Sequence, residues 1–194
     1  MKLDSAIILA GGKSSRMGFD KQLIEIDDML IGEYIARELS MCFSEIIIVT
    51  NRPELYTGSN YKVIGDIYPG HGPISGIHAG LVESNSQYSY ITACDMPIIS
   101  KKYIETIIEI ADDNFEFKGL VVGKGKETEP MNGVYSKSLI SDLENRIVSG
   151  NYRIRSIIED NEFIHIDKSI LKEVEGDIFM NLNMPEDLNS IQNK

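Results

Sequence analysis

The sequence predicts an α/β fold with a mostly parallel central sheet, and three observations carry that prediction. Short β-branched apolar runs alternate with longer helix-period segments along the chain. The first run, Ala6-Ile7-Ile8-Leu9, is uninterrupted and reads as a strand buried on both faces. A glycine-rich turn follows it at once, and open α/β sheets bind ligands just past the carboxyl ends of their strands.

Taken in order, strands are predicted at residues 6–9, 45–50, 62–64, 88–93, 119–122, 131–135 and 163–166. Helices are predicted at 31–42, 75–83, 101–111, 138–148, 152–159 and 186–192. Pro185 followed by the acidic pair Glu186-Asp187 suits the first turn of the last helix. With 194 residues the chain is expected to form a single domain over 1–194.

Composition narrows the function classes. Lys and Arg total 19 against 30 Asp and Glu, a formal net charge of -11, which argues against a general affinity for nucleic acid or an anionic membrane surface. Any anion is expected to be bound locally. Cys42 and Cys94 lie in apolar surroundings, cannot form a disulfide framework, and fit a reducing cytoplasm. The opening "MKLDSAIILAGG" does not read as a signal peptide, because Lys2 and Asp4 precede an apolar run of only five residues. Nothing approaches the length of a membrane span.

Four predicted strand ends carry unusual chemistry. The first is "LAGGKSSRMGFDKQL", Leu9 to Leu23, with three glycines, two lysines and one arginine. Gly11 and Gly12 let a ligand approach the main chain, whose amides can point at an anion, and Lys13, Arg16 and Lys21 gather positive charge in an acidic protein. It is neither a P-loop, since Ile7 stands where the first glycine belongs, nor a dinucleotide fingerprint, since no glycine follows Gly12 until Gly18. The second is "VIGDIYPG", where Asp66 follows a short strand and is as readily a turn residue as a ligand.

The third is "YITACDMPII". There Asp95 offers the hard oxygen that Mg²⁺ prefers, at the mouth of a central strand. The fourth is "FMNLNMPEDL", where Asn183 could give a second, neutral oxygen or could cap the helix after Pro185. His71, His78 and His165 lack metal-ligand spacing, Cys94 reads as a small core residue, and "SGNYRIRSIIED" offers Arg153 and Arg155 either to an anion or to solvent.

In order and spacing, "LAGGKSSRMGFDK", "KVIGD", "GPISGIHAGL", "ACDMPII" and "NLNMPEDL" resemble the signatures of the molybdenum cofactor guanylyltransferases, a family of the nucleotidyltransferase superfamily, over nearly the whole chain. The resemblance implies a Rossmann-like three-layer fold. It also implies transfer of GMP from GTP to the phosphate of the molybdopterin cofactor with Mg²⁺ and release of pyrophosphate. Matched by position, Leu9, Ala10, Gly11 and Gly12 would lie against the guanine nucleotide, Lys21 would meet its phosphates with Arg16 beside it, and Asp66 would join the nucleotide site. Asp95 and Asn183 would hold Mg²⁺. Molybdoenzymes or cofactor-delivery proteins would be the partners.

Some relatives carry an asparagine two positions before the one matching Asn51, where Val49 stands here, so the base pocket departs from the pattern. Competing readings are a nucleotidyltransferase of the same fold using CTP or a sugar phosphate, and a non-catalytic GTP-binding regulator. "LAGG" favours the guanylyl enzymes, since cytidylyl relatives usually read "LAAG".

Overall fold

The computed structural model describes residues 3–11, 20–114, 116–182 and 187. Its strands are β1 (Leu3–Leu9), β2 (Glu25–Ile26), β3 (Met29–Leu30), β4 (Glu45–Val49), β5 (Lys62–Ile64), β6 (Tyr88–Ala93), β7 (Gly119–Val122), β8 (Glu129–Ser136) and β9 (Phe163–Ile166). Its α-helices are α1 (Ile31–Leu39), α2 (Pro73–Glu83), α3 (Lys101–Asp113), α4 (Ile140–Ser149) and α5 (Ile154–Asp160). Seven strands form one sheet in the order β5-β4-β1-β6-β8-β7-β9, and β8 runs antiparallel to both its neighbours. The remaining strand pairs of this sheet are parallel.

Alternation along each strand sends side chains to two separate cores. Ile7 and Leu9 of β1 pack with Ile47, Ile91, Ile77, Leu81 and Leu143, beneath α2 and α4. Ala6 and Ile8 face the other way and pack with Ile48, Ile31, Ile35, Ile104 and Ile107, beneath α1 and α3. The result is three layers, helices on both faces of a sheet, as the apolar runs predict. Among the described residues no helix is long and apolar enough to cross a membrane.

Element ends depart from expectation where capping or tertiary contact decides them. β1 starts at Leu3 rather than residue 6, because partners on both sides extend its ladder through the buried Ser5, whose hydroxyl donates to Ser86 Oγ at 2.7 Å. The first helix stops at Leu39 rather than residue 42: the amides of Cys42 and Phe43 both turn back to the Leu39 carbonyl so that the chain can enter β4. α3 is capped by Ser100, which accepts from the Tyr103 amide at 3.3 Å. α4 ends on Gly150, held at φ 80°, a left-handed cap that glycine takes without strain.

The hairpin β2–β3 is unpredicted. Its two-residue turn puts Asp27 and Asp28 at φ 52° and 59°, a role usually marked in sequence by Asn-Gly. The predicted helix at 186–192 lies outside the described residues apart from Asp187.

Helix α2 sits close on β1. A Cβ on Gly80 would lie 2.5 Å from Ile7 Cγ2, a methyl fixed to a fully buried strand residue that cannot retreat. Gly80→Ala is therefore expected to destabilise the protein by about 1–2 kcal/mol despite alanine's better helix propensity. A melting curve should show a drop of about 3–6 °C.

Candidate active site

Three strand ends meet at one level. In the parallel register Leu9 stands beside Val49 on one side and Ala93 on the other. The ladder continues one step past the strands: the Ala10 amide donates to the Val49 carbonyl at 2.8 Å, and the Cys94 amide donates to the Leu9 carbonyl at 3.0 Å. Gly11 then leaves the sheet into solvent. Asp95 follows in a turn closed by the Met96 amide on the Ala93 carbonyl.

Lys21 reaches the same place from a short 3₁₀ turn, Lys21–Leu23. Asp20 caps it, accepting from the Gln22 amide at 3.0 Å. Lys21 Nζ donates to Asp95 Oδ2 at 3.1 Å, with both side chains partly exposed. A cavity of about 190 Å³ is lined here by Leu9, Gly11, Lys21, Gln22, Cys94 and Asp95. A larger cavity of about 880 Å³ lies at the opposite end of the sheet, beside Asp4, Ser5, Glu45 and Lys62. The residues singled out in the sequence line the smaller one, at the strands' carboxyl ends where open α/β sheets bind ligands.

Asp66 follows β5, one strand beyond β4. α2 passes over it: a Cβ on Gly76 would come within 3.7 Å of Asp66 Oδ1 and 2.9 Å of Leu9 Cδ2. Burial holds the Asp66 carboxyl above its ordinary pKa, and the nearby His71 partly offsets this. His71 itself stacks on Tyr152 at 4.6 Å.

The neighbouring thiol and imidazole are poor nucleophiles. Burial, reinforced by the Asp95 charge, pushes the Cys94 thiol up to about 12, so it stays protonated. Burial lowers His78 from its ordinary value and favours the neutral ring, which meets Tyr68 edge-on.

The structure thus brings together Leu9, Ala10, Gly11, Lys21 and Asp95, with Asp66 at the flank. Gly12, Arg16 and Asn183 lie outside the described residues, as does Lys13. Leu182, the residue before Asn183, is described, and its amide donates to the Asp95 carbonyl at 2.8 Å. Arg155, on α5, donates to the Lys126 carbonyl at 2.7 Å, in the turn between β7 and β8.

Two contributors went unseen in the sequence. Gln22 is buried beneath Lys21 and bonds to Thr50 and Asn51. Asn132 stands in β8 at φ 53°, accepts from Tyr90 OH at 3.0 Å, and donates to the Ile178 carbonyl at 2.6 Å, anchoring the segment that leads to Leu182. The only local signal for Asn132 is that asparagine tolerates the left-handed region better than most residues.

Comparison with known proteins shows the family and agrees with the fold. Residues 6–166 match the model of the MobA-like NTP transferase domain. A probable molybdenum cofactor guanylyltransferase from Peptoclostridium acidaminophilum is 40% identical over 190 residues, covering 95% of this chain and 86% of the relative. A molybdenum cofactor guanylyltransferase from Syntrophotalea carbinolica is 34% identical over 189 residues, covering 96% and 90%. The fold matches that of molybdopterin-guanine dinucleotide biosynthesis protein A from Archaeoglobus fulgidus at a TM-score of 0.81, with 22% identity and 97% of each chain covered. With a glycine turn, a lysine and an aspartate converging at the carboxyl ends of a parallel sheet, and with matches of this extent, the chain belongs to the MobA-like NTP transferase family and is a nucleotidyltransferase.

Proposed function

We propose that the protein transfers GMP from GTP to the phosphate of the molybdenum cofactor, forming the guanine dinucleotide cofactor and releasing pyrophosphate. The observation that carries this reading is the Lys21–Asp95 pair, held at 3.1 Å in the cavity beside Gly11. A cation and a carboxylate at the mouth of one strand are what an arriving triphosphate and its counter-ion require. The names of the relatives at 40% and 34% identity support the guanylyl reaction over the CTP and sugar-phosphate alternatives.

The reaction asks little of the protein as acid or base. The acceptor phosphate has a second pKa of about 6 and is largely ionised at neutral pH, so no proton has to be removed from it. Its oxygen forms a bond to the α-phosphorus of GTP as the bond from that phosphorus to pyrophosphate breaks. The protonated Cys94 and the neutral His78 have no part in this. Lys21 exchanges its carboxylate partner for phosphate oxygens when the nucleotide enters, and Asp95 is released in the same event. Gly11, without a side chain, admits the nucleotide against the main chain. Gly12 and Arg16 extend the loop's contribution, and Asp66 bounds the nucleotide site at its flank.

The donor set fits magnesium. Among the described residues no group of three or more His, Cys, Asp or Glu could cage a metal, but Mg²⁺ is commonly held by one or two carboxylates with substrate phosphates and waters. Asp95, with Asn183 after the Leu182 that bonds to it, would hold the ion. When bound, it neutralises charge on the α-phosphate and the leaving pyrophosphate.

Three variants test this reading. Lys21→Ala should lower turnover by roughly 10² to 10³ while the melting temperature stays close to wild type, because a partly exposed ion pair adds little stability. Normal turnover in the folded variant would remove Lys21 from the site.

Asp95→Asn should fold normally, bind Mg²⁺ more weakly by titration calorimetry in the presence of GTP, and remain slow at saturating metal. Unchanged magnesium affinity and turnover would make Asp95 a turn residue.

Asp66 has its folded pKa raised by burial, so its favourable contribution is present below the unfolded value and is lost as pH rises through the folded one. Asp66→Asn should therefore raise the melting temperature near pH 7 by about 1–2 °C, and by less near pH 4, while turnover falls.

A further inference from the structure

Lys21 enters the cavity from a 3₁₀ turn of three residues, too short to hold its direction by internal bonding alone. Both flanking residues are anchored instead. On one side Asp20 uses each carboxylate oxygen: Oδ1 accepts from the Gln22 amide at 3.0 Å, and Oδ2 accepts from Arg52 Nη1 at 3.1 Å. On the other side the Gln22 side chain accepts from the Thr50 hydroxyl at 2.5 Å and donates to Asn51 Oδ1 at 3.2 Å. Thr50, Asn51 and Arg52 are consecutive and follow β4 directly, so one short stretch grips the turn before and after Lys21.

The two grips differ in what they can do. The Gln22 grip is neutral, and with Gln22 and Thr50 only 2% and 1% exposed it belongs to the packed base of the turn. The Arg52 grip is a charged pair at the rim, with the Arg52 and Asp20 side chains 38% and 25% exposed, and such a pair adds little to stability. Its geometry is nonetheless closely defined. The Arg52 amide donates to Thr50 Oγ1 at 2.9 Å and Arg52 Nε donates to Glu54 Oε1 at 3.0 Å, which leaves Nη1 directed at Asp20. A planar guanidinium keeps its donors in fixed relation, so Arg52 braces Asp20 against Glu54.

Asp20, Lys21 and Gln22 all line the cavity, and Arg52 meets Asp20 from outside that lining. A lysine carries its charge on a flexible four-carbon stem, so the resting place of Nζ, 3.1 Å from Asp95 Oδ2, depends on where the backbone beneath it is fixed. Misplacing a group by about 1 Å can cost about 10²-fold in rate. We infer that Arg52 is the positioning residue for Lys21: it holds Asp20, and through Asp20 the turn that aims the ammonium into the cavity. This inference rests on the reading of Lys21 as the group that meets the nucleotide's phosphates.

The test compares wild type, Arg52→Gln, Lys21→Ala and the double variant by their dissociation constants for GTP with Mg²⁺, with a melting curve for each. Arg52→Gln should weaken GTP about fivefold when Lys21 is present and by less than about 1.5-fold in the Lys21→Ala background, because the group it positions is gone. Its melting temperature should fall by no more than about 2 °C. A merely structural Arg52, or one that only cancels the charge of Asp20, would weaken GTP by the same factor in both backgrounds, and that result would overturn the inference. So would unchanged GTP affinity in Arg52→Gln where Lys21→Ala weakens it.

A second measurement needs no nucleotide. The rate at which acetic anhydride acetylates Lys21, followed by mass spectrometry, should rise by about twofold or more in Arg52→Gln and in Asp20→Asn, whose amide oxygen still caps the turn but carries no charge for Arg52. Equal rates in all three proteins would overturn the inference. If the rates rise while Lys21→Ala leaves GTP affinity unchanged, the phosphate role of Lys21 falls and its positioning by Arg52 stands.

Discussion

The site depends on one constraint, the shared carboxyl end of β1. Because Leu9 is level with both Val49 and Ala93, the ladder bonds just beyond it tie Ala10 to β4 and Cys94 to Leu9. Those bonds set the height at which Gly11, Asn51 and Asp95 leave the sheet. A register slip of one residue would turn every side chain of β1 to the opposite face, and the two cores forbid it. The hydrophobic layers therefore also align the polar groups, although none of them is part of the core.

A second arrangement works from the other end of the chain. Asn132 accepts from Tyr90, donates to the Ile178 carbonyl, and has its own carbonyl bonded by Tyr103 OH at 2.6 Å. Each partner is buried, where a polar group left unpaired costs about 1–3 kcal/mol, so the network closes only when the residues around Ile178 are seated. That seating leads on to Leu182, whose amide meets the Asp95 carbonyl. The turn that carries Asp95 and the segment approaching Asn183 are thus joined by a main-chain hydrogen bond as well as by packing.

Charge is organised locally against the overall balance. A formal net charge of -11 repels anions at long range, and screening confines that repulsion to about 8–10 Å under physiological salt. Within that distance Lys21 stands beside the exposed main chain of Gly11. The ion pair with Asp95 holds the lysine in the cavity in the meantime, at little cost to stability because both groups are partly exposed.

What the sequence determined by itself follows from local periodicity and side-chain chemistry. The apolar runs marked all seven strands of the main sheet: inner strands such as β4 and β7 are buried on both faces and apolar almost throughout, and the half-buried edge strands β5 and β9 keep enough apolar residues to be read. The glycines after Leu9 and the aspartates at 66 and 95 stood out because small or charged residues directly after such runs are seldom required for packing. What only the tertiary structure decided are relations between distant residues. Lys21 and Asp95 are 74 positions apart, and their contact requires β6 to lie beside β1. Gln22 reads as one polar residue in a loop until Thr50 and Asn51 stand over it. The order of strands and the seating of Asn132 likewise depend on which faces can be buried together, a choice made by the whole chain at once, for which no short stretch carries a pattern.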